Sequence, residues 1–100
     1  LMFDEVDVGV GGAVAETVGR LLQTLAESRQ IICITHLPQV ASLGKHHLLV
    51  EKSLAKNSAH STIRHLSFQE RVEEISRMLG GVNITEQTRK HATEMIRSMQ

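Results

Sequence analysis

Residues 1–7 read Leu-Met-Phe-Asp-Glu-Val-Asp, three apolar residues followed by two adjacent carboxylates and then a third. The apolar run predicts a short strand that delivers its carboxylates where a glycine-rich turn begins. Burying two carboxylates side by side is costly unless a cation or a proton offsets their charge. The stretch therefore predicts a metal site at Asp4 and Glu5. The competing interpretation is a strand that ends in an exposed acidic turn.

The residues that follow predict a second strand beside the first. Residues 6–13 form a glycine-containing loop and lead into a helix whose apolar positions are Val14, Val18, Leu21, Leu22 and Leu25. A second apolar run, residues 31–35, then ends directly in His36. A strand–helix–strand crossover brings two parallel strands close together, and ligands bind at the carboxyl ends of such strands. We therefore expect Glu5 and His36 to face one phosphate group.

Several segments of the chain resemble the RecN family, bacterial DNA repair ATPases related to the SMC proteins. Residues 3–16 (FDEVDVGVGGAVAE) resemble its Walker B and D-loop run, and residues 35–41 (THLPQVA) its switch segment. Residues 71–81 (RVEEISRMLGG) and 84–86 (ITE) resemble its C-terminal helices. The resemblance implies an α/β fold, the C-terminal half of an ABC-type (P-loop NTPase) ATPase head. Parallel strands with a crossover helix would be followed by a β-hairpin and two helices.

The resemblance also implies roles for individual residues. Asp4 would bind Mg²⁺ through water, Glu5 would orient the water that attacks ATP, and His36 would hydrogen-bond the γ-phosphate. Asp7 and Gly9, in the D-loop, would meet a second ATPase head in a homodimer, with the nucleotide between the heads. The implied activity is ATP hydrolysis coupled to recombinational repair of DNA double-strand breaks.

The position of Gln39 allows two interpretations. It follows Pro38, a residue suited to the first turn of a helix. Its side chain is expected either to touch the nucleotide or simply to lie on that first turn.

Two segments that an ABC-type head needs do not occur in the 100 residues. There is no Gly-x-x-x-x-Gly-Lys-Ser/Thr phosphate loop and no Leu-Ser-Gly-Gly signature segment. We therefore expect a C-terminal piece of a longer protein that holds half of one nucleotide site and is inactive alone. The expected division is residues 1–44 for the nucleotide site, 45–66 for the hairpin and 67–100 for the C-terminal helices.

Composition argues against several classes of protein. Eleven basic and eleven acidic residues balance, so no basic stripe predicts strong DNA binding by this segment itself, and DNA is expected to be a partner of the longer protein. The single cysteine, Cys33, fits a reducing compartment, and the resemblance implies the bacterial cytoplasm, in association with the nucleoid. No apolar run is long enough to predict a membrane span.

The second half of the chain predicts a hairpin and helices with recognisable ends. The predicted elements are a short helix over 38–43 that stops at Gly44, strands over 46–52 and 61–66 with a polar loop at 55–59, a helix that starts at the capping box Ser67–Glu70, runs to about Leu79 and stops at Gly80–Gly81, and a last helix near 84–99.

Two groups of polar residues have simple structural interpretations. The spacing of Arg71, Glu73, Glu74 and Arg77 predicts a solvated helix face. The four histidines of the hairpin, His46, His47, His60 and His65, are a poor zinc cluster because adjacent strand residues point to opposite faces. One functional alternative stays open: the hairpin and helices form a non-catalytic interaction module, and the acidic strand is incidental.

Overall fold

The computed structural model describes residues 1–4, 11–55 and 58–99. The elements, in chain order, are β1 (Met2–Asp4), α1 (Gly12–Leu25), β2 (Ile32–Ile34), α2 (Pro38–Ala41), β3 (Leu48–Ala55), β4 (Ser58–His65), α3 (Phe68–Gly80) and α4 (Glu86–Met99). No helix in these ranges is both long and apolar enough to cross a bilayer.

Strands β1 and β2 form a parallel pair joined by helix α1, as the sequence predicts. Phe3 lies opposite Cys33, and Asp4 lies opposite Ile34. The ladder begins where the backbone N–H of Ile32 donates to the carbonyl of Leu1 at 2.8 Å. This pairing brings the carboxyl ends of both strands to one edge of the sheet.

Helix α1 packs through small residues rather than through its larger apolar ones. Ala15 and Gly19 are buried, whereas Val14 and Leu21 are exposed, so the predicted helix is confirmed but its large apolar side chains are not its buried ones. A β-carbon on Gly19 would lie 2.4 Å from Leu43 Cδ1. The glycine therefore allows the close approach of α1 to the turn after α2.

Helix α2 is shorter than predicted. It begins at Pro38 and ends at Ala41, and Ser42 and Leu43 continue as a turn in which Gly44 N–H donates to Ala41 O at 3.3 Å. The carbonyls of Ala41, Ser42 and Gly44 also accept hydrogen bonds from the Arg71 guanidinium. Arg71, which lies 27 or more residues further along the chain, thus donates hydrogen bonds to the carbonyls at the end of the helix. A contact between such distant residues cannot be predicted from the local sequence pattern, and the predicted end of the helix was wrong.

The hairpin has longer strands than predicted. Ala55 pairs with Ser58, and the ladder continues to Leu48 opposite His65. The five-residue loop predicted at 55–59 is therefore wrong at the residues that the structure describes, because Ala55, Ser58 and Ala59 belong to strands. The sequence of residues 55–59 does not show the alternation of apolar and polar residues that predicts a strand.

Helices α3 and α4 pack around one cluster of the described core; the ends of α3 are close to those predicted, and α4 begins at Glu86, two residues later than predicted. The Ser67 hydroxyl accepts from Glu70 N–H at 3.3 Å, and the Glu70 carboxylate accepts from Ser67 N–H at 3.0 Å, which completes the capping box. Gly81 ends α3 with φ of +68°. The core side chains come from both helices: Val72, Ile75, Ala92 and Ile96.

The predicted solvated face of α3 is wrong at one residue. Glu73 pairs with Arg89 on the surface, and the exposed Arg77 pairs with Glu74, whose side chain is only 12% exposed, but Arg71 is 6% exposed and lies inside the fold. Its side chain points toward the end of α2, where backbone carbonyls replace water as acceptors.

Candidate functional site

The candidate site lies at the carboxyl ends of β1 and β2. Asp4 is the last residue of β1 and is exposed, and it lies opposite Ile34, the last residue of β2. His36 follows two residues later and is also exposed. The parallel register thus brings Asp4 and His36 to the same sheet edge, where open α/β sheets bind ligands.

The turn after β2 is shaped by Thr35. Its hydroxyl accepts a hydrogen bond from the backbone N–H of Leu37 at 3.1 Å, which turns the chain around His36. Leu37 then serves as the N-cap residue of α2, and its carbonyl accepts from Val40 and Ala41. His36 therefore lies at the corner of the turn between the strand and α2, with its side chain exposed rather than in a core.

Gln39 lies between this turn and the start of α1. A β-carbon on Gly12 would be 3.2 Å from Gln39 Nε2, so the amide group packs against the first turn of α1. The Oε1 atom of Gln39 is buried and has no hydrogen-bond partner within the described ranges. A buried amide oxygen without a partner is costly, and water or a bound ligand would satisfy it.

The N-terminus of α1 adds backbone donors at the same place. The N-cap residue, Gly11, makes no side-chain cap, and the first turn carries no acidic residue. The first N–H groups of a helix lack intrahelical acceptors, and together with the helix dipole they favour an anion. The residue pattern gave no separate role to Thr35 or Gly12; the two glycines at 11 and 12 are the signal that could have identified Gly12.

Three of the predicted site residues, Glu5, Asp7 and Gly9, lie outside the described residues. Within the described ranges no three His, Cys, Asp or Glu side chains assemble as a metal site, so Asp4 is there a single candidate oxygen ligand. The structure therefore places Asp4, His36 and Gln39 at one end of the strand pair. The roles assigned to these residues stay predictions.

Comparisons with known proteins identify relatives along nearly the whole chain. It is 46% identical over 96 residues to the DNA repair protein RecN of Vibrio cholerae. It is 48% identical over 96 residues to that of Haemophilus influenzae and 41% identical over 97 residues to that of Bacillus subtilis. These matches cover 96–97% of the chain and 17% of each relative, so the chain spans less than a fifth of their length. No family model matches the chain.

A solved structure supports the fold. It comes from work on the structural biochemistry of ATP-driven dimerization and DNA-stimulated activation of SMC ATPases. The TM-score is 0.63 at 17% identity, and the match covers 83% of this chain and 49% of the other. The chain therefore has the fold of part of an SMC ATPase, and by its sequence it belongs to the RecN family of DNA repair proteins.

Proposed function

We propose that this chain forms part of the ATP-hydrolysing head of an SMC-like ATPase that acts in recombinational repair of DNA double-strand breaks. The observation that carries the proposal is the parallel pair β1–β2, because its register brings Asp4 and His36 to one sheet edge. The similarity to RecN proteins and the SMC ATPase fold support the same conclusion. In this proposal residues 1–44 serve the nucleotide, 45–66 form the hairpin and 67–100 form the C-terminal helices.

The proposed chemistry divides between two side chains. Glu5, immediately after the end of β1, orients the attacking water and accepts its proton. His36 donates a hydrogen bond to the γ-phosphate and to the charge that develops there during phosphoryl transfer. In this proposal Gln39 supports the site from α2, where its buried Oε1, which has no hydrogen-bond partner among the described residues, would accept a hydrogen bond from a water at the nucleotide.

The residues present also fit a magnesium ion. Asp4 offers an exposed carboxylate at the strand end, and oxygen ligands are those that Mg²⁺ prefers. Asp4 would hold the ion through water, and the ion would neutralise charge on the phosphates. Further ligands would come from residues outside the described ranges, since no three His, Cys, Asp or Glu side chains assemble as a metal site within them.

The partners in this proposal follow from the D-loop. Asp7 and Gly9 would meet a second copy of the head, so that hydrolysis depends on dimerisation of the heads. DNA would bind to the intact protein in the bacterial cytoplasm and associate it with the nucleoid.

The test is a Glu5→Gln substitution in the intact protein that carries these residues. ATP binding stays nearly unchanged, because the phosphate contacts remain, while hydrolysis falls by at least about a hundredfold, because the water is no longer positioned. Asp4→Ala instead weakens Mg²⁺-dependent ATP binding. Steady-state hydrolysis and equilibrium binding of ATP separate the two effects.

Glu94→Gln is the matched control, because Glu94 lies at an exposed position on α4, away from the strand ends. It leaves both measurements unchanged. Hydrolysis at the wild-type rate by the Glu5→Gln variant would exclude Glu5 as the residue that positions the water.

A further inference from the structure

A cleft rich in basic groups lies where the hairpin meets α3, on elements distinct from the strand ends. The cleft has a volume of about 150 Å³ and is lined by Lys45, His46, His47, His65, Leu66, Phe68 and Arg71. Five of these seven side chains carry or can acquire a positive charge, and none of them is a carboxylate. In a chain whose formal net charge is zero, this is a local excess of positive groups.

Arg71 forms the buried wall of the cleft. It is 6% exposed, and its Nη2 donates to the carbonyls of Ala41 at 2.9 Å, Ser42 at 3.2 Å and Gly44. Its Nε is buried and has no hydrogen-bond partner among the described residues. Carbonyls stabilise a guanidinium but do not neutralise it, so the positive charge persists inside the fold.

His47 faces that charge. Burial, and then the neighbouring Arg71, lower the pKa of its imidazole, while Glu74 opposes the shift. Its Nδ1 is buried and lacks a hydrogen-bond partner within the described ranges. Two buried nitrogen atoms of residues that line the cleft, Nε of Arg71 and Nδ1 of His47, thus lack a hydrogen-bond partner among the described residues. Buried polar atoms normally have such a partner.

The outer rim adds exposed donors. His46 and His65 stand with ring centroids 5.7 Å apart, and Lys45 is exposed beside them. Leu66 and Phe68 supply an apolar wall, which lowers the local dielectric and strengthens any ionic contact made there.

The nearest carboxylates are already engaged elsewhere. Glu74 accepts hydrogen bonds from Arg77, including one from Nε at 3.0 Å. Glu70 accepts from Arg64 and from the backbone of Ser67. Neither carboxylate lines the cleft, so Glu74 offsets part of the positive charge near His47 but gives the cleft no anionic partner of its own.

We propose that this cleft binds a phosphate group, with Arg71 and His47 at its base and Lys45 and His65 at its rim. The phosphate comes either from a nucleic acid backbone or from a small free phosphate, which present the same charged oxygen atoms. The site is separate from the strand-end site, so it stands whether or not that site hydrolyses ATP.

The experiment is a titration of the intact, nucleotide-free protein with inorganic phosphate, followed by histidine-selective NMR. Sodium chloride at the same ionic strength is the reference, and a His47→Gln variant assigns the His47 signals. Phosphate binds saturably and raises the pKa of His47, because a bound anion stabilises the charged imidazole. Lys45→Gln weakens phosphate binding about fivefold, the loss expected for one exposed charge contact.

Lys90→Gln, an exposed change of the same charge on α4, is the control and leaves phosphate affinity unchanged. A short DNA duplex and magnesium-free ATP then compete for the site. Displacement of phosphate by DNA alone assigns it to a nucleic acid backbone. Displacement by ATP, or by neither competitor, assigns it to a small free phosphate.

Two results would overturn the proposal. One is a His47 response to phosphate no larger than that to chloride. The other is phosphate binding that Lys45→Gln leaves as tight as in the wild type.

Discussion

The strand pair β1–β2 and the helix pair α3–α4 use their apolar residues in opposite ways. On the strands, Met2 is 65% exposed, and Ile32 and Ile34 are exposed as well. On the helices, Ile75 and Ala92 are fully buried in one cluster. The strands, which carry the candidate chemistry, contribute no side chain to the buried core that the structure describes, whereas the two helices contribute four of its eight apolar residues.

Because of this difference, we expect substitutions in α3 and α4 to change mainly stability, and substitutions at the strand ends to change mainly activity. Burial of apolar side chains provides most of the free energy of folding, so α3 and α4 should form the stable unit of the chain. The strand pair instead exposes apolar faces of a kind that other elements usually cover. In the proposed head, helices of the longer protein would cover them.

The largest effect on stability is expected at the centre of the helical core. Ile75→Ala removes a side chain with no exposed surface and should lower the free energy of unfolding of this region by about 2–5 kcal/mol. Hydrogen exchange of the α3 amides measures it. Ile63→Ala is the control, because Ile63 on β4 is 69% exposed and its loss should cost less than about 0.5 kcal/mol. Equal effects would remove the contrast between buried and exposed apolar residues.

A smaller effect is expected where α1 packs against the turn after α2. Gly19→Ala improves helix propensity by about 1 kcal/mol, but its methyl group collides with Leu43, which is buried. Overpacking of this kind costs about 1–3 kcal/mol, so the net result is a loss of about 1 kcal/mol. Hydrogen exchange of the α1 amides reports it. Thr17→Ala, on the exposed side of α1, should not destabilise the helix; a more stable Gly19→Ala variant would mean that α1 does not pack on Leu43.

The features that sequence predicted well are those set by neighbouring residues. The capping box of Ser67 and Glu70, the helix stop at Gly81 and the strand–helix–strand unit before His36 all depend on local pattern or on general rules of chain topology. Each was confirmed because no distant contact competes with it.

The features that it predicted poorly depend on contacts between distant segments. The sequence spacing of Arg71 is that of a surface residue, yet its side chain is buried, where it donates hydrogen bonds to three carbonyls near the end of α2. The same contact shortens α2, so one long-range interaction accounts for two differences. At the strand ends, sequence named Asp4, His36 and Gln39, but the two glycines at 11 and 12 could not show that the Gln39 amide packs against Gly12.

The smallest predicted effect is a pH dependence at the hairpin. The pKa of His47 lies below its usual 6.5 in the folded chain, so the unfolded chain binds more protons as the pH falls. Stability from this residue is therefore complete above about pH 6.5 and declines as the pH drops toward the lowered folded value. His47→Gln should flatten that decline in a series of unfolding measurements from pH 7.5 to about 5. His91→Gln, at an exposed position on α4, should leave the slope as it is; a wild-type slope in His47→Gln would contradict the assignment.

The central claim is that two strand ends share one phosphate site, and His36 tests it most directly. His36→Ala in the intact protein should reduce the rate of ATP hydrolysis by the equivalent of about 3–4 kcal/mol, because one donor to developing charge is lost. The free energy of unfolding without nucleotide should change by less than about 1 kcal/mol, since the side chain is exposed. His91→Ala, an exposed histidine on α4, should alter neither quantity. Normal hydrolysis together with a large loss of nucleotide-free stability would make His36 a structural residue and would contradict the shared phosphate site.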